Sequence, residues 1–317
     1  MDNILYKLIN AFGGSGHENE VREIIKEEIK DVKCEIRQDK LGNLIVKMGQ
    51  GSEKIMVCAH MDTVGFMTTY IQDDGFLRVG KVGEVDFKNS INNIVRFESG
   101  LKGKLCASKN NPEERDLFID LCMENREEVL KEIKEGDVAC LSGEILERRE
   151  KIIASNLDRI GVYVLLKVIK EMKDLNKEVY FVFSTQKELG GRGARAAAFA
   201  IEPDYCIVLD CEDADDTASG DNKVRLGNGP VVSIMDRTLI IDNEIKKIID
   251  DAAEKAKVKI QYNVSKSSTD GGCIHKEVGG IKTGVISIPC RYKYTSSEVI
   301  HMKDIKDTIE LINTILL

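Results

Sequence analysis

Histidine is scarce in this chain of 317 residues: His17, His60, His275 and His301 are the four it has. Any chemistry that needs imidazole must draw on those positions. No Cys-x-x-Cys pair occurs among the nine cysteines. That absence argues against a zinc ribbon, and the odd count argues against a disulfide framework, so reduced thiols in the cytoplasm are expected. There is no basic surplus. Lys and Arg number 46 against 54 Asp and Glu, a net charge of -8, which disfavours nonspecific nucleic-acid binding. No apolar run approaches the roughly 18 residues of a membrane span. The start, Met1-Asp-Asn-Ile-Leu-Tyr-Lys, lacks a basic stretch followed by an apolar one, so no signal peptide is expected. Internal repeats and low-complexity tracts are missing too.

What is present suits a large buried core. Hydrophobic residues make up 42% and charged residues 32%, and the length allows a main domain plus a smaller one. Gly16 to Lys30 reads as an amphipathic helix with Val21, Ile24, Ile25 and Ile29 on one stripe. Lys54–His60 reads as a buried strand. From about Gly65 to Gly143 short β-like stretches alternate with glycines, with one helix expected over 125–133. After that, helices over 158–172, 192–200, 243–256 and 302–316 alternate with strands over 179–183, 205–209 and 284–288. This alternation predicts an α/β fold of three layers, helix-sheet-helix, around a mixed, mostly parallel sheet. Residues 1–65 and 151–317 form the main domain, and 66–150 form a small inserted β-rich domain.

In such sheets, sites gather just past the carboxyl ends of strands. Here those ends read His60-Met-Asp62, Lys187-Glu188, Asp210 and Arg291-Tyr-Lys-Tyr294. A His, a Glu and an Asp at one rim suit a divalent cation with nitrogen and oxygen ligands. Asp62 is placed to orient the His60 imidazole from behind. Taken singly, each residue is ordinary. A strand-end histidine is most often a hydrogen-bonded buried group. Asp158 at a helix start complements the helix dipole. Ser267 to Gly272 reads as a turn, and Cys58, Cys211 and Cys290 read as small buried apolar residues.

Several longer stretches carry more information. They are Gly14-Ser-Gly-His-Glu, Ala59-His-Met-Asp-Thr-Val-Gly-Phe-Met, Asp116-Leu-Phe-Ile-Asp and Gly136-Asp-Val, then Leu157-Asp-Arg-Ile-Gly-Val, Gly190-Gly-Arg-Gly-Ala through Ala198-Phe-Ala-Ile-Glu-Pro-Asp-Tyr, and Thr283-Gly-Val-Ile-Ser-Ile-Pro-Cys-Arg-Tyr. Together they resemble the tetrahedral aminopeptidases, a family of co-catalytic metallopeptidases also labelled glutamyl or deblocking aminopeptidases and sometimes endoglucanases. The resemblance covers nearly the whole chain. It implies two divalent metals that share an Asp, and a Glu general base.

Carried over position by position, the resemblance makes His60, Glu188 and Asp210 retained metal ligands and Asp62 the retained support. The base position is Lys187, and the C-terminal His ligand position is Tyr294. The bridging Asp falls on Leu157 without a gap, or on Asp158 after a one-residue deletion. A lysine there is normally an ammonium, unable to take a proton from water, and a tyrosine is neutral near pH 7. The reading is therefore a family member with a degraded two-metal site, weakly active or inactive: a pseudo-peptidase serving as a regulatory or structural subunit or a peptide binder. Zinc or cobalt is expected in one site at most, or in none, with the Lys187 ammonium as a substitute cation. The alternative is an active cytosolic metallo-aminopeptidase that trims short peptides with a noncanonical site. The resemblance also implies a homo-oligomer, or a mixed oligomer with related aminopeptidase subunits, assembled through the inserted domain. Neither nucleic acid nor membrane is expected as a partner.

Overall fold

The computed structural model describes residues 2–173, 175–221 and 223–317. Its main body is an eight-stranded sheet. The strand order is Glu35–Gln38, Leu44–Met48, Glu178–Ser184, Lys54–His60, Tyr205–Asp213, Lys282–Cys290, Val231–Met235 and Gln261–Val264. The four central strands, from Glu178–Ser184 to Lys282–Cys290, run parallel, and antiparallel neighbours flank them. The sheet is thus mixed with a parallel centre, as the alternation of elements predicts.

Side-chain alternation makes this sheet two-faced. On the Lys54–His60 strand, Ile55, Val57 and Ala59 enter one core cluster while Met56 and Cys58 enter the other. Helices Asn3–Asn10, Asn19–Ile29, Ile160–Glu171, Asn243–Ala256 and Met302–Leu316 cover the first face. Helix Arg192–Ile201 and the short Gly271–Ile274 turn of helix cover the second, with Ala194, Ala197 and Ala198 allowing a close approach. Gly161 sets another close approach. A Cβ there would stand 3.0 Å from the Ala59 Cβ, so helix Ile160–Glu171 sits tight against the central strands.

Residues 65–142 contain a closed six-stranded barrel, ordered Gly65–Ile71, Leu77–Val82, Leu117–Asp120, Lys102–Ala107, Ile94–Phe97 and Val138–Ser142. Closure leaves no free sheet edge. Its core is apolar, built on Phe66, Leu77, Val95, Phe97, Leu105 and Ile119, and Tyr294 packs against it from the main body. A three-stranded antiparallel sheet, Leu146–Arg148, Lys151–Ala154 and Glu298–His301, lies at the junction.

Three expectations need correction. The helix expected over 125–133 is regular only over Arg126–Val129. The helix expected from Asp158 opens with a 3-10 turn, Leu157–Arg159, and becomes α-helical at Ile160. Asp210 is not past the end of its strand. The ladder to the Lys282–Cys290 strand continues through Asp213, which places Asp210 inside the sheet.

Candidate active site

The strand register brings the predicted residues together. Ser184 lies beside His60 and Leu209 beside Ala59, so the Lys187 turn and Asp210 flank the end of the His60 strand. The His60 ring is buried. Its Nδ1 donates to the Asp62 backbone carbonyl at 2.8 Å, which turns Nε2 toward Asp210, 3.6 Å from Oδ1. Burial and the Lys187 charge push the imidazole toward neutrality, but Asp210 and Asp62 outweigh them and raise its pKa to about 10.

Asp62 does a different job from the one expected. Its nearer carboxylate oxygen is 3.9 Å from His60 Nδ1. Oδ1 accepts from the Lys187 N–H at 2.9 Å, and Oδ2 accepts from the Glu188 N–H at 3.0 Å and from Ser15 Oγ at 2.5 Å. The carboxylate therefore fixes the Lys187-Glu188 turn, and the imidazole is held by the backbone. That turn is tight: Gln186 adopts a left-handed φ of 54°, and the Gly190 and Gly191 N–H groups both donate to the Lys187 carbonyl.

Lys187 points inward. Its Nζ donates to Glu188 Oε1 at 2.9 Å and to Tyr294 Oη at 3.0 Å, and lies 3.5 Å from Asp210 Oδ2. Tyr294 Oη in turn donates to Glu188 Oε1 at 3.3 Å. Burial alone would depress the lysine, but Asp210, Glu188 and Tyr294 hold its pKa well above the ordinary value. Burial would raise Asp210. The Lys187, Lys293 and His60 charges instead hold it far below the usual carboxylate range. Burial lifts the Tyr294 phenol, so it stays protonated at neutral pH.

Asp158 turns to the crevice, while Leu157 is buried in the core. Asp158 Oδ2 accepts from Thr63 Oγ1 at 2.8 Å and its Oδ1 has no hydrogen-bond partner. Burial and the Glu188 charge raise its pKa against the pull of His60.

Three residues escape sequence reasoning. Lys293 lies within the segment Arg291 to Tyr294. Its Nζ donates to the Cys211 carbonyl at 2.8 Å and stands 3.7 Å from Asp210 Oδ1. Glu298 accepts from the N–H groups of Leu157, Asp158 and Tyr294 at 2.6, 3.2 and 2.7 Å, tying two walls of the crevice together. Asp270, read as part of a turn, sits beneath the His60 strand, accepting from Ser184 Oγ at 2.7 Å.

These residues do not fit a metal pair. Two divalent ions about 3.5–4 Å apart need shared anionic ligands. Here the Lys187 ammonium stands between Glu188 and Asp210, two carboxylates that the resemblance assigns to the ions. Tyr294 offers a protonated phenol. Three buried atoms, His60 Nε2, Asp158 Oδ1 and Asp210 Oδ2, lack hydrogen-bond partners. They are of the nitrogen and oxygen type that suits one ion. Among the described residues, however, no three His, Cys, Asp or Glu side chains converge as the ligands of an ion do. A cavity of about 340 Å³ opens beside Lys187, lined by Gly191, Arg195, Thr238, Cys273 and Lys276 among others.

Residues 42–311 match the family model described as M42 glutamyl aminopeptidase. A putative aminopeptidase of Acetivibrio thermocellus is 40% identical, over 98% of this chain and 97% of that protein. The lysyl aminopeptidase of Pyrococcus furiosus is 30% identical, over 99% of this chain and 96% of its own length. Among solved structures, an aminopeptidase from the archaeon Desulfurococcus kamchatkensis superposes with a TM-score of 0.94 at 31% identity, covering 99% of this chain and 93% of that one. The TET1 peptidase of Pyrococcus horikoshii, described as assembling into a tetrahedron or a large octahedral shell, gives 0.90 at 32%, covering 99% and 98%.

Proposed function

Because the chain belongs to the M42 glutamyl aminopeptidase family, we propose that it takes the amino end of short peptides in the crevice of His60, Asp158, Glu188 and Asp210, and that hydrolysis there is weak or absent. One observation carries this: the Lys187 amine, at the family's general-base position, donates to Glu188 and Tyr294 and is held protonated. An ammonium has no lone pair to receive a proton from water. Loss of a general base costs about 10²–10⁴-fold in rate. Zinc or cobalt then fills one site at most. The protein acts as a peptide binder, or as a regulatory or structural subunit, with the cavity beside Lys187 large enough for a side chain.

A second reading is a working aminopeptidase that trims short peptides. Full-length similarity to proteins named aminopeptidases favours it more directly than it favours the first. The unpartnered oxygens of Asp158 and Asp210 favour it too, because with His60 Nε2, once it gives up its proton, they supply ligands for one Lewis-acidic ion. A panel of aminoacyl chromogenic substrates, with added zinc, cobalt or manganese, separates the two. Turnover at rates usual for the class ends the first reading. Calorimetric binding of short peptides without turnover ends the second.

We extend the division into 1–65 plus 151–317 and 66–150 to assembly. The barrel segment supports a homo-oligomer or a mixed oligomer with related subunits, in line with the shells described for the Pyrococcus horikoshii peptidase. No helix among the described residues is long and apolar enough to cross a membrane, and a cytoplasmic setting accords with the nine free cysteines.

A further inference from the structure

We propose that the Lys187 and Lys293 ammonium groups together take the place of the metal pair, so that the chain itself balances the charge of the crevice and the site forms without bound cations. Asp210 is the pivot. Lys187 Nζ lies 3.5 Å from its Oδ2 and Lys293 Nζ lies 3.7 Å from its Oδ1, so each carboxylate oxygen meets its own ammonium. Lys187 also closes on Glu188 at 2.9 Å. The lysine side chains are only 5% and 2% exposed. Lysine is almost never so buried unless paired.

Two side chains arriving from different strand ends at one buried carboxylate are hard to account for as solvated surface lysines. Without them Asp210 would keep only the His60 imidazole and Glu188 only the Tyr294 hydrogen bond, too little to offset the loss of water around two buried carboxylates. A tethered ammonium also differs from an ion in a useful way. It cannot dissociate, so the stability of the site owes nothing to ion concentration. Lys293 is anchored for the task by its 2.8 Å hydrogen bond to the Cys211 carbonyl, which leaves its charge facing Asp210. With two cations already there, a divalent ion at the same carboxylates meets like charge at close range.

This inference deepens the reading of a crevice with weakened chemistry, but its test does not depend on activity. The full chain is dialysed against a chelator, then compared with untreated protein by elemental analysis and thermal unfolding. The expected result is less than stoichiometric metal before dialysis and the same Tm with chelator, without it, and with added cobalt. A tightly held ion in each untreated chain, or a Tm that falls on chelation, overturns the proposal. Lys187→Met should lower the Tm by roughly 4–8 °C. It should also create a cobalt-dependent visible absorption band and a partial recovery of Tm with cobalt. If that variant does not fold, Lys293→Met reads the same two signals. A folded variant with unchanged Tm and no cobalt band sinks the idea. Brisk peptide turnover by metal-free native protein would end the reading of weakened hydrolysis while supporting a cation-free site.

Discussion

His60, Asp158 and Asp210 form one wall of the crevice and Lys187, Glu188 and Tyr294 the other, and the two walls use their polar atoms differently. On the second wall the three groups close a hydrogen-bonded triangle, with Lys187 to Glu188 at 2.9 Å, Lys187 to Tyr294 at 3.0 Å and Tyr294 to Glu188 at 3.3 Å. On the first wall His60 Nε2, Asp158 Oδ1 and Asp210 Oδ2 have no hydrogen bond, and His60 meets Asp210 as an ionic contact at 3.6 Å. A hydrogen bond to a charged group is worth about 1.5–3 kcal/mol, and a buried polar atom left without one costs about as much. The second wall satisfies its own polar atoms. The first is anchored through His60 Nδ1, Asp158 Oδ2 and Asp210 Oδ1, and leaves one polar atom of each group to be met by surrounding charge alone.

The strongest way to break this contrast is to give the second wall open acceptors. Lys187→Glu with Tyr294→His removes the ammonium and supplies a carboxylate and an imidazole. With zinc or cobalt added, kcat/KM toward aminoacyl chromogenic substrates should rise by about 10²–10⁴-fold, the usual worth of a general base. A native chain that already cleaves briskly, and gains nothing from the double change, would show that the triangle does not limit the chemistry.

Much of the frame that carries these walls is legible in local sequence. The Lys54–His60 strand alternates between two cores, and the Asn243–Ala256 and Met302–Leu316 helices lie where their apolar spacing puts them. Asp242 caps the first of these helices through the N–H groups of Glu244 and Ile245. The shortened Arg126–Val129 helix also has its cap, Asn125. Beyond Val129 it buries only Ile133 in the barrel core, too little apolar surface to extend regular helix.

The crevice is less legible because its contacts are long-range. Glu298 receives the N–H groups of Leu157 and Asp158 from a segment about 140 residues away, and nothing in Ser-Ser-Glu-Val announces it. Lys293 lies between Tyr292 and Tyr294, both with left-handed φ. That backbone breaks the alternation that would otherwise say which side chain turns inward. Asp210 reads as a strand end because acidic residues follow it, yet pairing with the Lys282–Cys290 strand carries the ladder past it.

The first wall can be probed through its charges. Asp210→Asn keeps the shape but leaves Lys187, Lys293 and His60 without their common anion. Removing one partner of a buried pair costs about 3–5 kcal/mol, so urea unfolding should show a loss of that size. A loss under about 1 kcal/mol, the scale of an exposed pair, would mean that the cluster is wetter than its burial indicates and that the first wall does not depend on surrounding charge.

The smallest expected effect sharpens the same point from beneath the His60 strand. Asp270 is buried there, and burial raises its pKa from 3.8 to about 6, with His60, the Ser184 hydrogen bond and Lys187 pulling the other way. A carboxyl raised in the folded state binds its proton more tightly there than in the unfolded chain. Its favourable contribution is complete below about pH 3.8 and is lost as pH rises through 6. Stability should therefore drop between pH 5 and 6, with Asp270 supplying about 1 kcal/mol of the drop. Glu212 and Asp304, also raised to about 6 by burial, add to the slope in this window. Asp270→Asn preserves an acceptor for Ser184 Oγ and removes the titration, so the variant's urea-unfolding stability should change less between the two pH values. A slope identical to that of the native chain would mean that Asp270 does not change its protonation between pH 5 and 6 and that other groups carry the drop.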